Sequence, residues 1–239
     1  MTTAHRLVLP AVAAAALLAL AGCAPVLPLS GPRISEDRPI EAVDSVVVET
    51  SGDLTVTVGD TPSLRITAPS GVMSRLTSEI SGDELVLGAR GPFAGFGARD
   101  IRYELVVPRL SQVHVKGSSD VEADFTGADD VTVVIEGSGE VSGTGVAATA
   151  VELVIDGSGD IELTGTTDTQ RIEVSGSGDI DTAGLVSRAT RIEISGSGDA
   201  ELHVTDTLDA AISGSAEIRY TGDPRVRSEV SGSGEVRAA

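Results

Sequence analysis

The sequence predicts an all-β protein with one solenoid domain (a β-helix), built of stacked coils that are each about 18–20 residues long. Two observations lead to this prediction: a short motif recurs at a regular interval, and apolar and polar residues alternate on both sides of it. The motif is Gly-Ser-Gly followed by an acidic residue, and a period near 20 residues is typical of solenoid proteins. Its copies begin at Gly137, Gly157, Gly176, Gly196 and Gly232, and variants begin at Gly117 and Gly214.

The alternation around each motif predicts strands with one buried face. Ile192 and Ile194 share one parity with Gly196 and Gly198, whereas charged and hydroxyl side chains occupy the other parity. A sustained period of two residues is typical of β-strands that bury one side. A flexible Gly/Ser linker would not keep this parity on both sides of the glycines.

The inward parity of the glycines predicts a bend in every coil. Glycine adopts dihedral angles that other residues avoid, and it takes up no interior space. We therefore expect each motif to join two inward-facing β segments. The sequence does not fix the hand of the coil, for which right-handed is our expectation. The serines between the glycines should form an outward ladder with about 4.8 Å between neighbours. These serines are Ser138, Ser158, Ser177, Ser197, Ser215 and Ser233.

The composition agrees with a narrow solenoid and argues against nucleic acid as a partner. Aromatic residues make up 2% of the 239 residues and Trp is absent, so the core must consist of Val, Ile, Leu and Ala. Repeated aliphatic rungs of this kind suit a solenoid. The formal net charge is −19 and Lys116 is the single lysine. Because no basic face can neutralise phosphates, we exclude nucleic acid binding.

Residues 1–22 have the features of a lipoprotein signal peptide. Residues 7–20 are apolar but too short for a typical transmembrane helix. Residues 20–23, Leu-Ala-Gly-Cys, closely resemble the bacterial lipobox, which implies cleavage before Cys23 and a diacylglyceryl thioether on its sulfur. The alternative is an ordinary signal peptide with an incidental cysteine. Because Cys23 is the only cysteine, we predict it as the lipid attachment site of an exported protein at the outer face of the cell membrane.

Two segments follow the signal peptide. Residues 23–40 are rich in proline and predict an extended or disordered tether. Residues 41–239 form the predicted solenoid domain, whose early part alternates less regularly. We expect this part, including residues 79–87, to form irregular coils that cap the N-terminal end. Phe93 and Phe96 interrupt the pattern, and we expect them to fold back over apolar surface; the alternative is an exposed contact loop.

The order of these features resembles a known family. Residues 107–110 read Val-Pro-Arg-Leu, residues 113–118 read Val-His-Val-Lys-Gly-Ser, and repeated Gly-Ser-Gly-Asp-Ile motifs follow. This arrangement resembles the putative auto-transporter adhesin, head GIN domain family over roughly residues 43–239. The resemblance implies an exported, often lipid-anchored protein with a β-helix-like fold and no established catalytic activity. The sequence departs from the motif at Ser119 and at Ala216, where small residues replace the second glycine.

The acidic residues after the motifs predict a solvated acidic face. Stacked in register they would form a carboxylate ladder, but a calcium ion needs six to eight converging oxygen atoms. One outward acid in each coil supplies these poorly, and the calcium-binding Gly-rich repeats of similar appearance have a nine-residue period. We therefore predict no metal site, with a calcium-responsive module as a weaker alternative. The acids are Glu140, Asp160, Asp179, Asp199, Glu217 and Glu235.

No catalytic or cofactor-binding residues are predicted. His5 belongs to the signal peptide, and His114 and His203 face outward by parity in coils far apart in the sequence. We interpret both as polar surface residues and predict that the protein is not an enzyme.

The sequence is compatible with two functions of different classes. The first is a non-catalytic, lipid-anchored contact module of the cell envelope, with a cell-surface protein or a glycan as partner. The alternative is a β-helix enzyme or binding protein that acts on envelope polysaccharide, by analogy of fold alone. The acidic surface and the absence of Trp weigh against the alternative, because an acidic glycan would be repelled and sugars stack on aromatic rings. The sequence leaves the oligomeric state open.

Overall fold

The chain forms a β-solenoid of about six turns, as the sequence predicts. The computed structural model describes residues 31–91 and 100–239. In these residues, 17 strands join one continuous sheet, and one short helix is present. In chain order the elements are β1 (Arg33–Arg38), β2 (Ser45–Val48), β3 (Asp53–Val58), β4 (Ser63–Pro69), α1 (Ser70–Met73), β5 (Leu76–Ser81), β6 (Glu84–Ala89), β7 (Arg102–Val107), β8 (Gln112–Gly117), β9 (Asp120–Asp124), β10 (Asp130–Gly137), β11 (Glu140–Gly157), β12 (Asp160–Gly176), β13 (Ile180–Gly196), β14 (Ala200–Gly214), β15 (Glu217–Thr221), β16 (Arg225–Gly232) and β17 (Glu235–Ala238).

Each coil crosses two main faces, and the Gly-Ser-Gly motif lies at the bend between them. The first face stacks β6, β2, β8, β10, the second halves of β11 to β14, and β16, all parallel. The second face stacks β7, β3, β9, the first halves of β11 to β14, then β15 and β17. A short third side closes the coil where residues 146–148 pair with residues 165–167, after a shift of register. The right-handed sense of the coil stays a prediction.

The interior is a stack of aliphatic side chains, which confirms the parity read from the sequence. Equivalent residues of successive coils lie directly over one another, and the members of the column named below are at most 2% exposed. The second glycine of the motif is buried in four coils, while the serine and the acidic residue beside it are exposed. One such column consists of Ile135, Ile155, Val174, Ile194 and Ile212.

The glycines are required because neighbouring coils approach closely at the bend. Gly176 has a φ of +132°, and a Cβ atom there would collide with the carbonyl group of Gly157 in the preceding coil. A Cβ atom on Gly178 would collide with the carbonyl oxygen of Gly159 and lie 2.8 Å from Cγ2 of Ile155. The sequence predicted a bend at this motif, and the structure adds a second reason for glycine, which is the stacking of backbone on backbone.

The two departures from the motif leave the coils intact. Ala216 is 1% exposed, and the N–H of the neighbouring Ser215 still donates to the preceding coil at 2.9 Å. Ser119 is fully buried, and its hydroxyl donates to the carbonyl oxygen of Thr50 at 2.6 Å. The hydroxyl of Thr50 lies 3.2 Å from that of Tyr103. Burial raises the pKa of the Tyr103 phenol, while its hydrogen bond with Thr50 acts in the opposite direction.

At the N-terminal end, the order in which the coils stack differs from their order in the sequence. The coil of β2 and β3 lies between the coil of β6 and β7 and the coil of β8 and β9. Antiparallel strands then close the end, with β5 against β6 and β4 against β7. Residues 79–87 lie at the capped N-terminal end, as the sequence predicts, although only β6 among them stacks in a coil. They form a hairpin of β5 and β6, because Gly82 takes a φ of +66° at the turn.

The predicted tether, residues 23–40, overlaps the folded cap. All six residues of β1 pair antiparallel with β4, so residues 33–38 belong to the sheet and are not a tether. The guanidinium of Arg38 donates to the carbonyl oxygen of Leu76 at 3.0 Å, which ties β1 to β5 as well. Residues 23–30, the signal peptide, and Phe93 and Phe96 lie outside the described residues.

A buried polar network interrupts the aliphatic interior beside the third side. The side-chain amide of Gln170 donates to the hydroxyl of Thr182 at 3.0 Å and accepts from the hydroxyl of Thr190 at 3.3 Å. Ser187 lies 2.7 Å from Thr190 and donates to the carbonyl oxygen of His203 at 3.0 Å. Each of these groups has a partner, which is the condition for burying polar atoms without a large loss of stability.

Candidate interaction surface

The acidic residues form a ladder along the second face. They face solvent, and some of them also accept hydrogen bonds from the next coil. A carboxylate oxygen of Asp160 accepts from the backbone N–H of Asp179 in the next coil at 3.0 Å. Asp179 accepts in the same way from Asp199 at 2.8 Å, and Asp199 accepts from Glu217 at 3.0 Å. These three aspartates thus satisfy a backbone N–H at or next to the first residue of the strand stacked on them.

At the other positions of the ladder the backbone accepts in place of the side chain. Where Glu140 occupies the ladder position, the N–H of Asp160 donates to the carbonyl oxygen of Gly139 at 3.1 Å. Where Glu217 occupies it, the N–H of Glu235 donates to Ala216 at 3.0 Å. At Asp120, in the first motif, the N–H of Glu140 likewise donates to the carbonyl oxygen of Ser119 at 3.1 Å, so the side-chain contact is made by Asp160, Asp179 and Asp199 and not by every aspartate of the ladder.

Replacing Asp179 tests the ladder. We expect Asp179→Ala to lower the free energy of unfolding by about 1 kcal/mol, because a charge-assisted hydrogen bond is lost at an exposed site. Asp179→Asn keeps an accepting oxygen and removes repulsion between neighbouring carboxylates, which is about 1 kcal/mol in water. The Asn variant should therefore be at least as stable as the wild type. Urea denaturation followed by circular dichroism measures both, and equal stability of the Ala and Asn variants would contradict the bonded ladder.

The serines of the motif form the outward ladder that the sequence predicts. All six are exposed, and their backbone N–H groups donate to a glycine carbonyl oxygen of the preceding coil at 2.8–2.9 Å. Together with the acids, they present one hydroxyl and one carboxylate from each coil at a spacing of about 4.8 Å. This edge of the solenoid is polar, acidic and periodic.

A shallow groove of about 600 Å³ runs along the opposite corner, where the third side meets the first face. It crosses five stacked strands, so it extends for roughly 20 Å along the solenoid axis. Its floor is formed by small or short outward residues and their backbone. These are Asp130, Ala150, Thr169, Ala189 and Thr207.

One wall of the groove carries charges of both signs. Arg171 lies 3.8 Å from Glu152 and 3.5 Å from Glu173. Arg191 lies 2.6 Å from Glu193, and this hydrogen bond raises the pKa of Arg191. The groove is open and elongated and has charged side chains along one wall, which suits an extended chain molecule better than a small substrate held in a closed pocket.

The histidines are not brought together. His114 lies on β8 and His203 on β14, and both face outward, as their parity predicts. The His114 side chain is 19% exposed, and its Nε2 atom is 3.4 Å from a carboxylate oxygen of Glu136. Within residues 31–91 and 100–239, no three or more His, Cys, Asp or Glu side chains are placed to hold a metal ion. The predicted lipid attachment site, Cys23, lies outside the described residues and stays a prediction.

The family assignment rests on most of the chain. The family model described as "Putative auto-transporter adhesin, head GIN domain" matches residues 42–224. The chain belongs to this family. The match confirms the resemblance derived from the sequence motifs, and no curated protein matches the chain.

Solved structures share the fold of this head GIN domain. A putative adhesin from Bacteroides fragilis is 21% identical, with a TM-score of 0.80 over 88% of this chain and 99% of its own. A putative lipid binding protein from Parabacteroides distasonis is 22% identical, with a TM-score of 0.66 over 87% of this chain and 97% of its own. A putative adhesin from Parabacteroides merdae is 21% identical, with a TM-score of 0.65 over the same shares. At these identities the similarity shows a common solenoid fold.

Among the described residues of this head GIN domain, no helix has the length and apolarity that a bilayer crossing requires.

Proposed function

We propose that this protein is a non-catalytic contact module of the cell envelope, held at the outer face of the membrane by a lipid on Cys23. The observation that carries the proposal is the repetition of the same outward groups along one rigid axis. Hydroxyl, carboxylate and guanidinium groups recur from coil to coil. Such a surface offers many weak contacts to a cell-surface protein or a glycan, and weak contacts add up when they are linked.

Membership of an adhesin-like family supports a surface role, and the lipobox supports the anchor. The position of β1 limits how far the folded domain can lie from the proposed anchor. Residues 23–32 separate Cys23 from β1, and they span at most about 35 Å when fully extended. Since β1 lies on the capped end of the solenoid, the regular coils would extend away from the bilayer.

The groove along the corner agrees with a partner that is an extended chain. Its charged wall, with Arg171 and Arg191 beside glutamates, supplies donors and acceptors for a peptide or a glycan. Because these arginines already contact carboxylates, the groove would offer both hydrogen-bond donors and acceptors to a partner and would not act as an anion site.

The anchor is tested by labelling growing cells with palmitate. We expect label in the wild-type protein and none in Cys23→Ala, because the thioether to diacylglycerol forms only on the cysteine sulfur. Globomycin, which blocks cleavage of lipoprotein signal peptides, should cause the unprocessed chain to accumulate. Labelling is a better measure than fractionation, because an uncleaved signal peptide can itself hold the variant in the membrane. Ala24→Ser, next to the lipobox, serves as the control and should label normally; label retained in Cys23→Ala would contradict the proposal.

A further inference from the structure

The end of the solenoid formed by β16 and β17 differs from the capped end. Within residues 31–91 and 100–239, β16 has β14 on one edge and no strand on the other. Val226 and Val230 lie over Leu208 and Ile212 and have the same inward parity. They are 40% and 45% exposed, whereas Leu208 and Ile212 are at most 2% exposed. Among the described residues, no strand covers the interior beside β16.

The backbone of β16 is also unpaired on this side. The N–H of Ser233 donates to Gly214 of β14 at 2.8 Å. Because the two edges of a strand are served by alternate residues, Arg227 and Glu229 direct their N–H and C=O groups toward β14 as well. Ser228, midway between them, directs its N–H and C=O groups to the free edge, as do the two valines on either side.

We propose that this edge binds a second copy of the chain, with the two β16 strands antiparallel about Ser228. In that register Ser228 faces Ser228 of the other copy and exchanges both backbone hydrogen bonds with it. Val226 faces Val230, so the apolar interior continues across the contact. Arg227 faces Glu229 on the outer surface, in the non-hydrogen-bonded pair where side chains approach most closely. Hydrogen bonds, apolar contacts and charges thus select the same register.

Neighbouring registers lose part of this match. A slip of two residues that places Arg227 opposite Arg227 also places Arg225 opposite Glu229, but it sets each Val226 opposite Ser228 and breaks the Val226–Val230 contact; a slip in the other direction places Glu229 opposite Glu229. Like charges directly opposite each other destabilise an antiparallel pair. The contact is isologous, so it closes on itself and leaves no free β16 edge for further addition.

The pairing joins two molecules end to end, with the capped ends farthest apart. If both chains carry the proposed anchor, their anchors lie at opposite ends of the dimer, which suits contact between two facing surfaces. This consequence depends on the proposed function, whereas the pairing itself does not. A Cys23→Ala protein should therefore still form dimers in solution even if the anchor proposal fails.

Charge reversal tests the register. Sedimentation velocity of the full chain in mild detergent, over a range of concentrations, should show a species of twice the chain mass. Glu229→Arg should raise the dissociation constant at least about tenfold, because two opposite-charge pairs become like-charge pairs. The double variant Arg227→Glu, Glu229→Arg restores opposite charges and should return to within about threefold of the wild type.

Glu193→Arg is the matched control. It removes the equivalent contact of Arg191 with Glu193, on a strand whose two edges are both paired. It should leave the dimer unchanged. A wild-type protein that stays monomeric at its solubility limit, or a Glu193→Arg effect as large as that of Glu229→Arg, would overturn the proposal.

Disulfide trapping tests the two-fold position. Residues of a hydrogen-bonded antiparallel pair have Cα atoms about 5.5 Å apart, within the range that a disulfide spans. Ser228→Cys should give a dimer on a non-reducing gel that reductant removes. Ser231→Cys lies opposite Arg225, about 20 Å from its own copy in this register, and should give no more dimer than the wild type. Equal trapping by both variants would contradict the register.

Discussion

Gly176→Ala should lower the free energy of unfolding by about 4 kcal/mol. Two effects add at this position. The φ of +132° is unfavourable for any residue with a Cβ atom, and that atom would collide with the carbonyl group of Gly157 in the preceding coil. The collision is with backbone, so no side-chain rotation can relieve it. Urea denaturation and thermal melting measure the loss, and hydrogen exchange should locate it in β11 and β12.

Gly127→Ala separates the two effects. Gly127 also has a positive φ, of +82°, but no atom lies within 4 Å of a Cβ atom built there. The Gly127→Ala variant should lose only the part of the free energy of unfolding that comes from the unfavourable φ, about 1–2 kcal/mol. If Gly176→Ala were no more destabilising than Gly127→Ala, close stacking of the coils would not be the reason for the repeated glycine.

Gln170→Ala should lower the free energy of unfolding by about 3 kcal/mol. Gln170 is 2% exposed, and its amide bonds Thr182 and Thr190. Truncation leaves a cavity and removes one partner from each threonine hydroxyl in a region closed to water. Chemical denaturation gives the total, and the exchange rates of backbone N–H groups on the third side show whether the damage is local.

Gln170→Leu is the matched control, since it keeps the volume of the side chain but not its hydrogen bonds. It should lose about 1–2 kcal/mol, less than the Ala variant, because Thr182 still donates to Glu201 at 3.3 Å and Thr190 still contacts Ser187. A Leu variant as stable as the wild type would show that the polar network contributes nothing to stability.

The regular coils could be predicted almost completely from the sequence. The parity of Ile192 and Ile194 relative to Gly196 identifies the buried face, and the recurrence of the motif sets the stacking register. Local periodicity is enough here because each coil contacts only its neighbours, which repeat the same pattern. The same parity also placed Gln170 and Thr190 inward. This signal for the interior network was present in the sequence but was not used.

The acidic ladder was predicted only in part. The sequence placed the acids outward and in register, and the structure confirms this. It could not show that Asp160 and Asp179 accept from the next coil, because that depends on side-chain reach across a gap between strands. At Asp120, Glu140 and Glu217 a backbone carbonyl oxygen accepts instead, so the residue type at this position does not by itself predict the contact.

By itself, the sequence determined the fold class, the length of the coil, the buried face and the position of every regular bend. These properties follow from spacing along the chain, because the two-residue alternation and the glycine motif are both contained within one coil. Only the tertiary structure decided that the coil of β2 and β3 inserts between later coils and that residues 33–38 belong to the cap. These features depend on the pairing of strands that are far apart in the sequence. Several strands of similar composition could form each pair, and the packing of the whole molecule determines which pair forms.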